Sequence, residues 1–152
     1  MTTDPLRPGE SSKSRGDPPP GTSPYKSRGG VARLRQALKY SFSGLADAVR
    51  REAAFRQELL LVAVLAPIAS FFPFSSVERV MLIGSLLLLL IVELLNSAME
   101  ATVDRISIEP HPLAGRAKDL GSAAVMLTLV LVALTWLAIA GPVLAGLLLS
   151  VN

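Results

Sequence analysis

Apolar and polar positions divide this chain into segments of different rhythm. Up to residue 30, "MTTDPLRPGESSKSRGDPPPGTSPYKSRGG" offers almost nothing apolar to bury. Such a segment cannot offset the entropy of an ordered chain, so residues 1–30 read as a disordered tail. From 31 to 57 the rhythm becomes helical. Leu34, Leu38, Phe42, Leu45, Val49 and Phe55 recur at helical spacing, with Arg33, Arg35, Lys39, Arg50, Arg51 and Arg56 mostly between them. The pattern predicts an amphipathic helix over 31–57 lying on a membrane surface, with Gly44 as a place where it divides.

After residue 58 the apolar positions form three blocks. Leu59–Phe74 is about long enough to span, given that a span needs roughly 17–25 residues; Pro67 predicts a kink and Pro73 an end. Ser75–Arg79 reads as a short turn. The second block runs from Val80 to Ile108, and at about 1.5 Å per residue it outreaches the hydrocarbon layer, so its charged end emerges at one face. "EPHPLAGRAKD", residues 109–119, reads as a loop. Leu120–Ala140 is a third apolar helix with Trp136 near its end, and Gly141 with Pro142 breaks it before an apolar tail over 146–152. The expected fold is an all-α membrane protein: an amphipathic surface helix followed by three transmembrane helices within 58–145.

Composition sharpens this picture. The chain has 152 residues, 51% hydrophobic, and no cysteine, which excludes disulfides, thiolate metal sites and cysteine nucleophiles. Its start lacks the basic-then-apolar pattern of a signal peptide, leaving the first span as the insertion signal. Eleven of the fifteen Lys and Arg precede residue 57, and most of the rest lie at 105–118. The positive-inside rule then puts the N-terminus and the 104–119 segment in the cytoplasm and the C-terminus outside, as three spans require. Because the basic arm leads directly into membrane segments, anionic headgroups suit it better than nucleic acid.

The chemistry gathers in "IVELLNSAMEATVDRI", residues 91–106. At ~100° per residue, Glu93, Asn96, Ser97, Glu100 and Asp104 fall within an arc of about 100°, one acidic stripe on one helix face. Asp104 can be read as a solvated helix end paired to Arg or Lys, with Arg105 and Arg116 nearby in sequence. Glu93 cannot, because it follows thirteen uncharged residues and precedes two leucines. A carboxylate at that depth is costly unless neutral, paired or on a metal, and it is a candidate general base. In "REAAFRQE", Glu52 and Arg56 have the spacing of a helix ion pair. If Glu52 instead meets Glu100 in space, the two carboxylates suit Mg²⁺ with substrate phosphates. Lys118 is a point-charge partner for phosphate or a positive-inside anchor. There is no phosphate loop of the G-x-x-x-x-G-K-[ST] type, no H-E-x-x-H and no G-x-S-x-G.

"EAAFRQE" (52–58), "VELLNSAMEATVDRI" (92–106) and "GRAKDLGSAAV" (115–125) resemble the motifs of the prokaryotic diacylglycerol kinase family, and the likeness covers about residues 31–140. The resemblance implies a homotrimeric enzyme of the bacterial inner membrane. That enzyme would transfer the γ-phosphoryl group of ATP to the primary hydroxyl of diacylglycerol, giving phosphatidic acid. It implies Glu93 as general base supported by Asn96, and Glu52 and Glu100 as ligands of Mg²⁺ on the ATP phosphates. It aligns Arg33, Tyr40, Glu109, His111, Lys118 and Asp119 with nucleotide-site positions. Arg33, Ala54, Phe55, Arg56, Gln57, Glu58, Glu93, Ser122 and Trp136 align with positions near the lipid. A sister branch of the family phosphorylates undecaprenol; "EAAFRQE", "GRAKDLGSAAV" and the Thr135–Trp136 pair look more like the diacylglycerol branch. A non-enzymatic pore or scaffold, with the stripe lining a channel, would leave Glu52, Lys118 and Asp119 without a role.

Overall fold

The computed structural model describes residues 30–106 and 111–150, with side chains described as far as residue 146. The expected tail before residue 30, Glu109 and Pro110 in the connection, and the last two residues lie outside the described residues. Among the described residues four helices follow one another: α1 (Gly30–Arg51), α2 (Ala53–Phe71), α3 (Ser76–Ile106) and α4 (Pro112–Ser150). The chain divides into two compact units between Leu38 and Lys39. Gly30–Leu38 of the first is helical, and the second holds the rest of α1 with α2, α3 and α4.

The helix that the periodicity carries to residue 57 is interrupted at Glu52. This residue adopts extended backbone (φ −94°, ψ 115°) and stands as the N-cap of α2. Its N–H still donates to Ala48 O at 2.9 Å, while its own carbonyl accepts from Arg56 N–H at 3.4 Å. Arg56 then bridges the break, its Nη1 donating to Val49 O (3.4 Å) and Arg50 O (3.3 Å). Those carbonyls end α1, where a cation is favoured by the helix dipole. Arg51 pairs with Asp47 one turn back at 2.6 Å. Gly44 does not divide α1, which runs through it.

α2 passes through Pro67 and ends at Phe71, before Pro73. The expected turn at Ser75–Arg79 is mostly the start of α3. Ser75 N–H donates to Glu78 Oε2 (2.8 Å) and Glu78 N–H to Ser75 Oγ (3.3 Å), a reciprocal capping box that satisfies two terminal donors. From the first turn of α3, Arg79 reaches back to Ala69 O (3.0 Å), Phe72 O (3.4 Å) and Phe74 O (3.5 Å), tying the α2–α3 hairpin together.

The expected 109–119 loop is also largely helix. Pro112 opens α4, a position where its missing N–H costs nothing and its fixed φ is already helical. His111 caps it. The imidazole Nδ1 accepts from Leu113 N–H (3.2 Å), and the carbonyl accepts from Ala114 (3.0 Å) and Gly115 (3.1 Å). The 115–119 residues therefore stand on the first turns of a helix beside α3. At the far end α4 continues through Gly141 and Pro142. A membrane helix tolerates an internal proline when neighbouring groups satisfy the freed carbonyl.

Among the described residues, three helices are long and apolar enough to cross a membrane: Ala53–Phe71, Ser76–Ile106 and Pro112–Gly146. α3 packs against both α2 and α4. Among the described residues, most of the buried apolar side chains form two small clusters along it. One holds Ala69, Phe74, Leu82 and Ala140; the other holds Leu86, Leu89 and Val132. Trp136 packs against both, inside the bundle rather than at a helix end. Large apolar side chains elsewhere, such as Leu60, Leu87, Leu127 and Leu137, face outward. An apolar surface of that extent suits lipid contact and not water.

Candidate active site

The acidic stripe is carried by the second half of α3. The 3.6-residue period places its members on one face, and two of them are directly linked: Asn96 Nδ2 donates to Glu100 Oε1 at 3.2 Å. Glu93 lies deepest, 3% exposed. α2 places Glu58 close enough to act on it electrostatically, and the Glu52 and Glu100 carboxylates act on it as well. Glu58 is itself buried, with Oε2 unpaired. Phe55 and Glu58, three apart on α2, are the two residues of 54–58 that turn inward; Ala54 and Gln57 are exposed.

At the other end of the stripe, Asp104 pairs with Lys118 Nζ at 2.6 Å. The carboxylate is paired to a cation as expected, and the cation is Lys118 of α4, neither Arg105 nor Arg116. Lys118 also lies within electrostatic reach of Glu100. Asp119 is exposed, about 100° further round α4, as is Ser122. Glu52 and Arg56 have the spacing of a helix pair, but Arg56 turns to the carbonyls that end α1. The Glu52 carboxylate makes no capping hydrogen bond to α2. A groove of about 520 Å³ opens beside it, lined by Ser41, Gly44, Ala48, Leu94, Ser97 and Ala101 among others.

Of the remaining expected residues, Tyr40 lies on the exposed side of α1 and lines a groove with Asp47 and Arg50. Arg33 is exposed on the first turns of α1, in the first unit. His111 lines a pocket of about 440 Å³ with Val103, Ile106, Leu113, Ala114 and Ala117. Trp136 Nε1 is buried without a partner. Among the described residues, no three His, Asp or Glu side chains converge to cage a metal ion. The donors present are a carboxylate at the α1–α2 break and one on α3 steadied by an amide. That is a hard-oxygen set suited to Mg²⁺ when phosphate oxygens complete the shell.

Comparison with known proteins adds an independent line. The family model described as prokaryotic diacylglycerol kinase matches residues 39–140. The chain belongs to the prokaryotic diacylglycerol kinase family. A diacylglycerol kinase of Pseudomonas aeruginosa is 52% identical over 114 residues, covering 75% of this chain and 93% of that protein. One from Escherichia coli is 49% identical over 107 residues, covering 70% and 88%. One from Haemophilus influenzae is 45% identical over 112 residues, covering 74% and 94%. Family membership makes the chain a kinase, an enzyme that uses ATP. The matched region contains the stripe, the α1–α2 break and the start of α4, and leaves residues 1–38 outside it.

Sequence reasoning did not find three features of this site. Glu58 faces Glu93, which its spacing from Phe55 could have signalled. Lys118 pairs with Asp104, which depends on how α4 lies along α3. Gly121, inside α4, meets Asn96, and the one visible signal was a glycine early in an apolar helix.

Proposed function

We propose that this protein is an integral-membrane lipid kinase that transfers the γ-phosphoryl group of ATP to the primary hydroxyl of diacylglycerol, giving phosphatidic acid and ADP. The observation that carries the reading is the polarity of one helix face. A buried carboxylate, Glu93, stands at the deep end of the stripe, and Asn96, Glu100 and the Asp104–Lys118 pair follow toward the end of α3. Membership of a kinase family and relatives named diacylglycerol kinase support the same reading.

Phosphoryl transfer requires mainly positioning and neutralisation of charge. Glu93 and Glu100 are about 10 Å apart along the helix axis, which separates a lipid end from a phosphate end. At the deep end Glu93 accepts the proton of the lipid hydroxyl. The freed oxygen bonds to the γ-phosphorus as the bond from that phosphorus to the β–γ bridging oxygen breaks, and ADP leaves with that oxygen. Asn96 holds Glu100 and steadies the face on which the base sits. Glu52 and Glu100 are the residues that would hold Mg²⁺, which when bound neutralises phosphate charge. Lys118 and Asp119, with Arg33, Tyr40, Glu109 and His111, serve the nucleotide. Residues 54–58, Ser122 and Trp136 serve the lipid. Tail, surface helix and kinase body divide at about residue 30 and at the Glu52 break, with the body running to about 145 and 146–152 as its end. The assembly is a homotrimer in the bacterial inner membrane, with the site and N-terminus cytoplasmic.

The test is ³²P transfer from Mg·ATP in mixed micelles, offering diacylglycerol and undecaprenol separately. Transfer to diacylglycerol that Glu93→Gln abolishes is the expected result. Transfer only to undecaprenol moves the protein to the sister branch with its mechanism intact. A folded protein that phosphorylates neither refutes the assignment.

A further inference from the structure

Seven glycines lie among the described residues, and six of them have open space where a Cβ would stand. Gly121 is the exception. A Cβ there would run into Asn96 Oδ1 and Met99 Cε on α3. The residue is buried and its backbone is ordinary helix, so neither exposure nor an unusual φ accounts for it. Intrinsic helix preference favours alanine at such a position. What glycine supplies there is room for two side chains of the neighbouring helix, of which Asn96 carries the polar group.

That side chain has a fixed orientation. Asn96 donates from Nδ2 to Glu100 Oε1 at 3.2 Å. A carboxylate only accepts, so the amide must turn its NH₂ toward Glu100 and its oxygen the other way. The oxygen that faces Gly121 is buried and has no hydrogen-bond partner. Among the described residues nothing hydrogen-bonds that oxygen, and the space over Gly121 admits it. With alanine in place, the amide must rotate or α3 and α4 must part, and either movement withdraws Nδ2 from Glu100.

We propose that Gly121 is a positioning residue, which sets the orientation of the Asn96 amide and through it the Glu100 carboxylate. The inference rests on the lipid-kinase reading, in which Glu100 serves the metal and phosphates. It adds a residue that touches neither substrate yet governs how the phosphate end of the site is built.

The experiment uses the full chain in mixed micelles. It measures kcat, and separately the binding of Mn²⁺, as a stand-in for Mg²⁺, in the presence of a non-hydrolysable ATP analogue. The variants are Gly121→Ala, Met99→Ala, Asn96→Ala and the doubles Gly121→Ala/Met99→Ala and Gly121→Ala/Asn96→Ala. Gly121→Ala is expected to lower kcat by about tenfold or more, since small misplacements in a site cost that much, and to weaken Mn²⁺ binding. Met99→Ala alone should leave both near wild type and should not rescue Gly121→Ala. In the Asn96→Ala background, Gly121→Ala should weaken Mn²⁺ binding no further, because the group it displaces is gone. Wild-type kcat and Mn²⁺ binding in folded Gly121→Ala would overturn the proposal. So would rescue by Met99→Ala, or an equal further loss in the Asn96→Ala background. Should Gly121→Ala fail to fold, recovery of folding in Gly121→Ala/Asn96→Ala supports the clash, and its absence refutes it. A wild-type protein that neither transfers phosphate nor binds Mn²⁺ removes the kinase reading and this inference with it. An active wild type with an indifferent Gly121→Ala removes the inference alone.

Discussion

At the scale of the residue, the two buried carboxyls make opposite demands on stability and function. Glu93 and Glu58 are 3% and 7% exposed and lie near each other between α3 and α2. Burying one carboxyl is costly and burying two together more so. A fold under selection for stability alone would place amides or apolar groups at both positions. Glu93→Gln keeps the shape and removes the ability to take a proton, so kcat should fall by roughly 10²–10⁴-fold. The detergent-solubilised protein should elute unchanged on size exclusion, which checks that the loss is chemical. Glu58→Gln should raise the midpoint of thermal unfolding while lowering kcat, the trade expected where a destabilising group serves the reaction. A midpoint that falls would mean that the Glu58 carboxylate is held by something stabilising. The stripe itself was legible from sequence, because the 3.6-residue period alone fixes which residues share a helix face. The Lys118–Asp104 pair was not. It depends on the register between two helices, and no pattern within either helix encodes that register.

At the scale of the element, local chemistry read from sequence succeeded for the apolar helices and failed at their ends. The break at Glu52 contains neither glycine nor proline, and residues 51–57 by themselves favour helix. Arg56 decides the matter, by donating to the last carbonyls of α1 across the bend. The proline-rich 109–119 stretch invites a loop, yet Pro112 is a helix opener once His111 caps it. The Ser75–Glu78 capping box begins α3 earlier than the apolar block does, within the stretch that reads as a turn. Ser75→Ala should lower stability by about 1 kcal/mol, the usual cost of losing an N-cap. The box lies at the opposite end of α3 from Glu100, so kcat should stay at the wild-type value. Thermal unfolding and phosphate transfer on the same preparation check both halves. A large loss of kcat at unchanged stability would mean that the start of α3 communicates with the site.

At the scale of the whole molecule, the three candidate spans follow from length and apolarity, and charge predicts their direction. The α2–α3 turn carries Glu78 and Arg79, whereas the segment around the start of α4 carries Arg105, Arg116 and Lys118 beside the stripe. An ATP-dependent site must face the compartment that holds ATP, so the positive-inside rule and the proposed chemistry must agree on orientation. The protein contains no cysteine, so a single introduced thiol reports position without background. Gly115 has open space where a Cβ would stand, and Ser76 is exposed at the start of α3. Neither residue takes part in the site. In intact cells, a membrane-impermeant maleimide should label Ser76→Cys and spare Gly115→Cys. After the membrane is opened, both should react. The reverse pattern would place Asn96, Glu100 and Lys118 on the side without ATP. The kinase mechanism would then fail even though every helix stood where it does now, because the same bundle, turned over, has the same packing and none of the same chemistry.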